Sequence, residues 1–295
     1  MQNAPAVSVL ASIPSPGSGT LELGPFTLHM YGLTLLVAIA VCTYVTGRRW
    51  VNRGGDPPHG TTEDEIPVAA GIVGARLYHV ATSWDEVPDQ WWGVFAIWRG
   101  GLGVWGGIAL GCLVGGIVAK RAGANVWLLA DCLAPGLLLA QGIGRLGNWW
   151  NQELFGKPTD LPWALEIDPE NRPLQYLDQE TFHPTFLYEA LWDFAAAGAL
   201  IVIGRRFRIR PPGLFALYVS LYCFGRFWVE LLRVDATHEI AGLRLNAWVA
   251  AIGFVAGAVW FVVSQRGGLR RRRAPEPGKG VPTMAVPKSR VRSGS

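Results

Sequence analysis

The stretch "VWLLADCLAPGLLLAQGIGRLGN", residues 126–148, is almost wholly apolar until its end, where Gln141, Arg145 and Asn148 arrive together. A helix rises about 1.5 Å per residue, so some twenty apolar residues cross the ~30 Å hydrocarbon core of a bilayer. The segment reads as a membrane-spanning helix with polar groups at one end. Comparable segments recur at about 25–47, 66–84, 101–119, 185–204, 213–231 and 245–264. Together they predict an all-α fold, a polytopic integral membrane helix bundle of about seven transmembrane helices. Composition points the same way. Half of the 295 residues are apolar and 16% are charged, against about 25% charged in soluble domains. Residues 25–264 then form one membrane domain, with a long loop segment at 149–184. No internal repeat is evident, which speaks against an inverted-repeat transporter. Cys42, Cys112, Cys132 and Cys223 fall inside apolar runs without metal or disulfide spacing, and read as small buried hydrophobes.

The formal net charge of +4 is unevenly spread. Basic clusters follow alternate segments: Arg48, Arg49 and Arg53, then Lys120 and Arg121, then "RRFRIR", then "RGGLRRRR". With seven spans these four clusters share one side, which the positive-inside rule makes the cytoplasm. The opposite side receives "WDEVPDQWW", the acidic 149–184 segment and "RVDATHEIAGLR". Tryptophans 84, 91, 92, 149, 150 and 163 gather there, as an interfacial belt would. Residues 1–24 read as a loose extracytoplasmic tail without the basic region of a signal peptide. Residues 265–295, rich in Arg, Pro and Gly, read as a disordered basic tail near anionic lipid in the cytoplasm.

Gln141, Arg145 and Asn148 are spaced by four and three, which puts them on one helix face. Gly142, Gly144 and Gly147 beside them admit a close neighbour. A terminal arginine often only snorkels to the interface, but that leaves Gln141 and Asn148 on the same stripe unexplained. The sixth segment has a second stripe: Tyr222, Arg226, Glu230 and Arg233. In water, Arg226 and Glu230 would be an ordinary i,i+4 pair. In a membrane span, ionisable residues are costly and mark function by default. Two arginine stripes at the outer ends of two spans suggest a binding site for an anion, and a phospholipid phosphate is the anion found at that depth. The planar guanidinium suits phosphate. Arg76, His29, His79 and His183 are further titratable candidates near outer span ends. Asp131 lies deeper and reads as a hydrogen-bond partner within the bundle.

These residues also carry a resemblance. "GRLGNWWNQELFG" (144–156) resembles the signature of the bacterial prolipoprotein diacylglyceryl transferases. "LHMYGL" (28–33), "GARLY" (74–78), "GGLGVWGG" (100–107), "HPTFLYE" (183–189) and "GRFWVELLR" (225–233) are similar to further blocks of that family, in its order, over about 25–264. The resemblance implies transfer of diacylglyceryl from phosphatidylglycerol to the lipobox cysteine thiol of a prolipoprotein signal peptide. A thioether forms and glycerol phosphate leaves. It implies a bacterial cytoplasmic-membrane protein of seven spans, with its site open to the outer face and the lipid. Arg145 and Arg226 would stabilise charge building on the leaving phosphate. Tyr31, Asn148, Glu153, Gly156 and Glu230 match positions important in the family. Arg145, Tyr31, Gly156, Arg76 and Tyr222 are the expected substrate contacts. No metal or cofactor is implied, and nucleic acid is not an expected partner.

One position departs from the family pattern. Many members carry histidine, often proposed as the base, where this chain has Trp105 before Gly106-Gly107. Indole cannot take a proton from a thiol, so that role does not carry over. His79 and His29 are the histidine candidates in its place, weighed against a route in which the arginine field or the leaving phosphate disposes of the proton. A transporter or channel for an anionic lipid or metabolite is the rival of a different class. It would need polar residues running through to the cytoplasmic side. A head-group transferase acting on no protein is the other alternative.

The charge pattern makes a testable statement about topology. A cysteine introduced into 149–184 of a cysteine-free variant should react with an impermeant maleimide added outside intact cells. Reaction only after permeabilisation would reverse the orientation.

Overall fold

The computed structural model describes residues 12–23, 26–55, 62–87, 90, 92–96, 101, 103–235, 237 and 239–266. Among them are seven α-helices: α1 (Met30–Val51), α2 (Thr62–Thr82), α3 (Val104–Arg121), α4 (Val126–Asn151), α5 (Thr185–Arg206), α6 (Gly213–Leu232) and α7 (Leu245–Arg266). Five of them, α1, α4, α5, α6 and α7, are long and apolar enough to cross a membrane, and α2 has a shorter apolar stretch, Ile66–Thr82. The molecule is thus a polytopic helical membrane protein. The basic tail expected after 265 lies almost wholly outside the described residues.

Helix α4 is the centre of the bundle. It packs against α1, α5 and α6, while α6 also pairs with α7. Its start is fixed by Asn125, whose side chain accepts hydrogen bonds from the backbone of Trp127 and Leu128. Its small residues decide who comes close. A Cβ on Gly147 would strike the Tyr31 ring and Thr34 of α1, and one on Gly142 would strike Phe194 of α5. Helices α2 and α3 pair chiefly with each other. Gly74 and Gly106 face each other so closely that a Cβ on either would collide with the other's carbonyl oxygen.

Two clusters hold the bundle. At the end where α6 begins, Ala134, Leu138, Ala196, Ala197, Leu200 and Leu214 form a buried apolar core. Asp131 is fully buried there, and its Oδ1 accepts the Phe215 backbone N–H at 2.9 Å. Pro212, at the N-cap of α6, offers no side-chain cap, so α4 supplies one. The expected role of Asp131 within the bundle takes that form.

At the other end, segment 152–184 folds over the bundle. Phe155, Leu165, Ile167, Phe182 and Phe186 pack together under it. Strands β3 (Leu165–Glu166) and β4 (Thr181–Phe182) pair antiparallel within it. The chain leaves α4 through Gln152 in the left-handed region, φ 49°. The Gln152 side chain grips Asp168 from both sides: Nε2 donates to Oδ2 at 2.5 Å, and Oε1 accepts the Asp168 N–H at 2.8 Å.

The expectation of a loose N-terminal tail does not hold for residues 12–23. Ile13 bridges to Leu165, and its N–H donates to Ala164 O at 2.7 Å. Strand β1 (Thr20–Leu23) pairs with β2 (Phe26–His29) just before α1. The Trp149 indole donates to Pro14 O at 3.1 Å. The long loop segment offers the tail backbone partners and an apolar floor, which no local pattern in residues 12–23 announces. The pairing also starts α1 at Met30 rather than near residue 25.

Candidate functional site

Arg145 lies about 9 Å along the axis from the end of α4, and Arg226 about 9 Å from the end of α6. The two guanidiniums converge on one carboxylate. Arg145 Nη2 is 2.9 Å from Glu189 Oε1, and Arg226 Nη1 is 3.1 Å from Glu189 Oε2. Arg226 Nη2 is 2.6 Å from Glu230 Oε2. Glu230, 0% exposed, also receives Arg244 Nε at 2.7 Å through Oε1. Arg244 Nη2 reaches Asp235 Oδ2 at 2.9 Å, and Asp235 Oδ1 meets Arg233 Nε at 2.7 Å. The result is a chain of alternating charge from the bundle interior to its end: Arg145, Glu189, Arg226, Glu230, Arg244, Asp235, Arg233. Four arginines face three carboxylates, so one positive charge is in excess.

Local structure explains each position. Arg226 and Glu230 share a face of α6, as their spacing predicts. Arg233 does not continue the stripe on the helix, because α6 ends at Leu232 and Arg233 is extended (φ −69°, ψ 149°). It joins the chain through Asp235 instead. Arg244 arrives on a hairpin of β5 (Glu239–Ile240) and β6 (Leu243–Arg244). Its two turn residues, Ala241 and Gly242, have φ 51° and 75°, the handedness that tight two-residue hairpins need. Outside the helices, Asp235 is partly buried, which would raise its pKa, but the hydrogen bond and charge of Arg233 and the charge of Arg244 hold it below the ordinary carboxylate range.

Around this chain lie the other expected residues. The Tyr222 hydroxyl lies against Arg145 from one α6 turn below Arg226. Tyr31 packs on Gly147 and feels the charges of both Glu153 and Arg145. Asn148 and Asn151 both donate to Glu153 Oε1, at 2.9 and 3.0 Å. Asn148 is buried, while Glu153 is exposed. Gly156 forms a bridge with Arg233, and its N–H donates to His183 O at 2.9 Å. A Cβ there would meet His183, Thr185 and the Leu232 carbonyl. Gly156 therefore draws the loop segment against the starts and ends of α5 and α6. Thr185 ties the same point by donating its hydroxyl to Leu154 O.

Arg76 and His79 belong to the α2–α3 unit. Arg76 is buried, and among the described residues its guanidinium donates to the carbonyls of Val94 at 2.8 Å, Gly101 at 2.9 Å and Gly93 at 2.7 Å. It fastens the connection between the two helices. His79 sits beside it against Gly101, where a Cβ would collide with both side chains. His29 is exposed at the end of β2. His183 contacts the Tyr188 hydroxyl at 3.2 Å, and burial together with the charge of Lys157 lowers its pKa. Trp105 stands in the first turn of α3, and its side chain lies outside the described residues.

Glu189, Arg244 and Asp235 were not among the sequence candidates. Glu189 closes the "HPTFLYE" block at the start of a span, so an ionisable residue in an apolar run was its available signal. Arg244 had none, since only the hairpin brings it to Glu230. Gln141 is on the expected face, one turn below Arg145, but its Oε1 is buried without a hydrogen-bond partner among the described residues. Asp193, one turn below Glu189 on α5, is 0% exposed, and both its carboxyl oxygens lack a hydrogen-bond partner among the described residues.

Removing one member of a buried ion pair strands the other and costs about 3–5 kcal/mol. Glu189→Gln is therefore expected to lower the thermal midpoint in detergent. The Glu189→Gln, Arg226→Gln double variant should recover part of that loss, because the stranded charge goes too. Strictly additive losses would show that the bridge is not coupled.

Residues 18–263 match the sequence model of a family described as prolipoprotein diacylglyceryl transferase. The chain is 48% identical over 258 residues to a phosphatidylglycerol–prolipoprotein diacylglyceryl transferase of Cutibacterium acnes, covering 86% of this chain and 87% of the relative. It is 48% identical over 265 residues to one of Frankia alni, covering 88% and 69%. It is 47% identical over 263 residues to one of Streptomyces griseus, covering 87% and 79%. The chain belongs to the prolipoprotein diacylglyceryl transferase family.

Proposed function

We propose that the protein transfers the diacylglyceryl group of phosphatidylglycerol to the cysteine thiol of a prolipoprotein lipobox, releasing glycerol phosphate. The observation that carries this reading is the convergence of Arg145 and Arg226 on the single carboxylate of Glu189. Two guanidiniums from different helices that grip one two-oxygen anion can grip a phosphate in the same way. The sulfur attacks a glyceryl carbon, the carbon–oxygen bond to phosphorus breaks, and the electron pair stays on the phosphate. Cations already in place at that oxygen stabilise the transition state without reorganising. Glu230 positions Arg226 and Arg244. Asn148 and Glu153, with Tyr31, offer hydrogen bonds at the mouth, where the glycerol head group would lie. Tyr222 backs Arg145. Gly156 shapes the mouth by letting the loop segment close in, and Arg76 organises the neighbouring α2–α3 connection.

In this reading all seven helices span the bacterial cytoplasmic membrane. The N-terminus and the 149–184 segment are outside and the C-terminus is in the cytoplasm. A transporter needs a polar path to the cytoplasmic side. The apolar cluster around Leu138, Leu200 and Leu214 blocks one below the arginines, which favours a transferase.

The decisive assay mixes the purified protein, phosphatidylglycerol and a lipobox peptide, and follows the peptide mass. Arg145→Ala and Arg226→Ala should each lose about 10²–10³ in rate, the cost of a contact made at developing charge. Lysine at either position should restore only part, because the planar fork is lost. Near-wild-type turnover by either alanine variant would refute the clamp. No modified peptide with the wild-type protein would refute the reaction.

A further inference from the structure

The proposed reaction needs a group that takes the thiol proton, and the direction of attack restricts where that group stands. Displacement at carbon is in line, so sulfur approaches from the face opposite the departing phosphate oxygen. In a phospholipid the glyceryl carbons lie on the hydrocarbon side of the phosphate. With the phosphate held by Arg145 and Arg226, sulfur must reach its carbon from that deeper side. The base therefore stands below the two guanidiniums, not above them.

The carboxylates at the mouth are already engaged. Glu189 bridges two arginines, Glu230 holds Arg226 and Arg244, and Glu153 accepts from two asparagines. Asp193 differs on each count. It lies one turn further into α5 than Glu189, about 6 Å along the axis from the carboxylate that the two guanidiniums hold, on the face it shares with Glu189. It is 0% exposed, and neither of its oxygens has a hydrogen-bond partner among the described residues. A buried carboxyl without a partner is costly, so its retention in an apolar helix calls for a role. The charged and titratable groups acting on it come from three helices: Arg145 from α4, Glu189 on α5, and Arg226, Tyr222 and Tyr218 from α6.

Resting on the transferase reading, we propose that Asp193 is the general base: its carboxylate takes the proton of the lipobox thiol as sulfur attacks the glyceryl carbon. The sulfur–carbon bond forms as the carbon–oxygen bond breaks. The electron pair goes to the glycerol phosphate held by Arg145 and Arg226. Asp193 then gives up its proton to water that enters as the product leaves, which restores the carboxylate. His29 and His79 then take no part in proton removal.

The test compares a lipobox peptide with its selenocysteine analogue, whose selenol is ionised at neutral pH and needs no base. With the cysteine peptide, Asp193→Asn should reduce kcat by about 10²–10⁴-fold, the usual contribution of general base catalysis, with KM for phosphatidylglycerol little changed. With the selenocysteine peptide most of that deficit should vanish, and the His29→Gln, His79→Gln double variant should match wild type on both. If Asp193→Asn fails to fold, Asp193→Glu is read instead. Its pH–rate profile should shift for the thiol and not for the selenol. Equal deficits on both peptides in a folded Asp193→Asn variant, or wild-type thiol transfer by it, would overturn the proposal. So would an Asp193→Glu profile unmoved for the thiol. Failure of the wild-type protein on both peptides would instead overturn the transferase reading itself.

Discussion

The arrangement of the site depends on one carboxylate shared by two arginines inside an apolar bundle. Glu189 on α5 binds Arg145 of α4 and Arg226 of α6 within 3.1 Å. Three helices thereby meet at one ionic contact. Buried ion pairs are poor stabilisers, because desolvation offsets most of the attraction. An apolar replacement would hold these helices together as well. The contact makes physical sense as a substrate site kept ready: the carboxylate balances the guanidiniums until a phosphate arrives.

The rest of the molecule keeps that contact in place. Small residues let α1 and α5 approach α4, with Tyr31 against Gly147 and Phe194 against Gly142. The Leu138, Leu200 and Leu214 cluster closes the bundle beneath it. Above it, Gly156 draws the loop segment onto α5 and α6, and the β5–β6 hairpin delivers Arg244 to Glu230. The N-terminal residues add a strap by bridging to β3. The site is thus walled by apolar helices on its sides and floor, and its polar chain runs out through the end that carries the loops.

What the sequence disclosed follows from which interactions are local. The helices were legible because apolar length is a one-dimensional signal. The pairing of Arg226 with Glu230 was legible because four residues on a helix are neighbours. Arg145 stood out as a charge in an apolar run. Contacts between distant segments left no such trace. Glu189 gave no sign that it would bridge two arginines, and Arg244 and Asp235 gave none of joining Glu230. Arg233 was expected on the α6 face, but the helix stops one residue before it. Arg76 carried the same in-span signal as Arg145, yet the carbonyls it binds among the described residues, Gly93, Val94 and Gly101, lie in the α2–α3 connection. Residues 12–16 looked loose because their order comes from partners more than a hundred residues away.

The central claim is that Arg145 and Arg226 hold the lipid phosphate where they now hold Glu189. A structure of the protein with bound phosphatidylglycerol tests it most directly. The account predicts the phosphate within hydrogen-bonding distance of both guanidiniums and the glyceryl carbons on the Asp193 side. A phosphate held away from these two arginines, for instance beside Arg76 and His79, would contradict it.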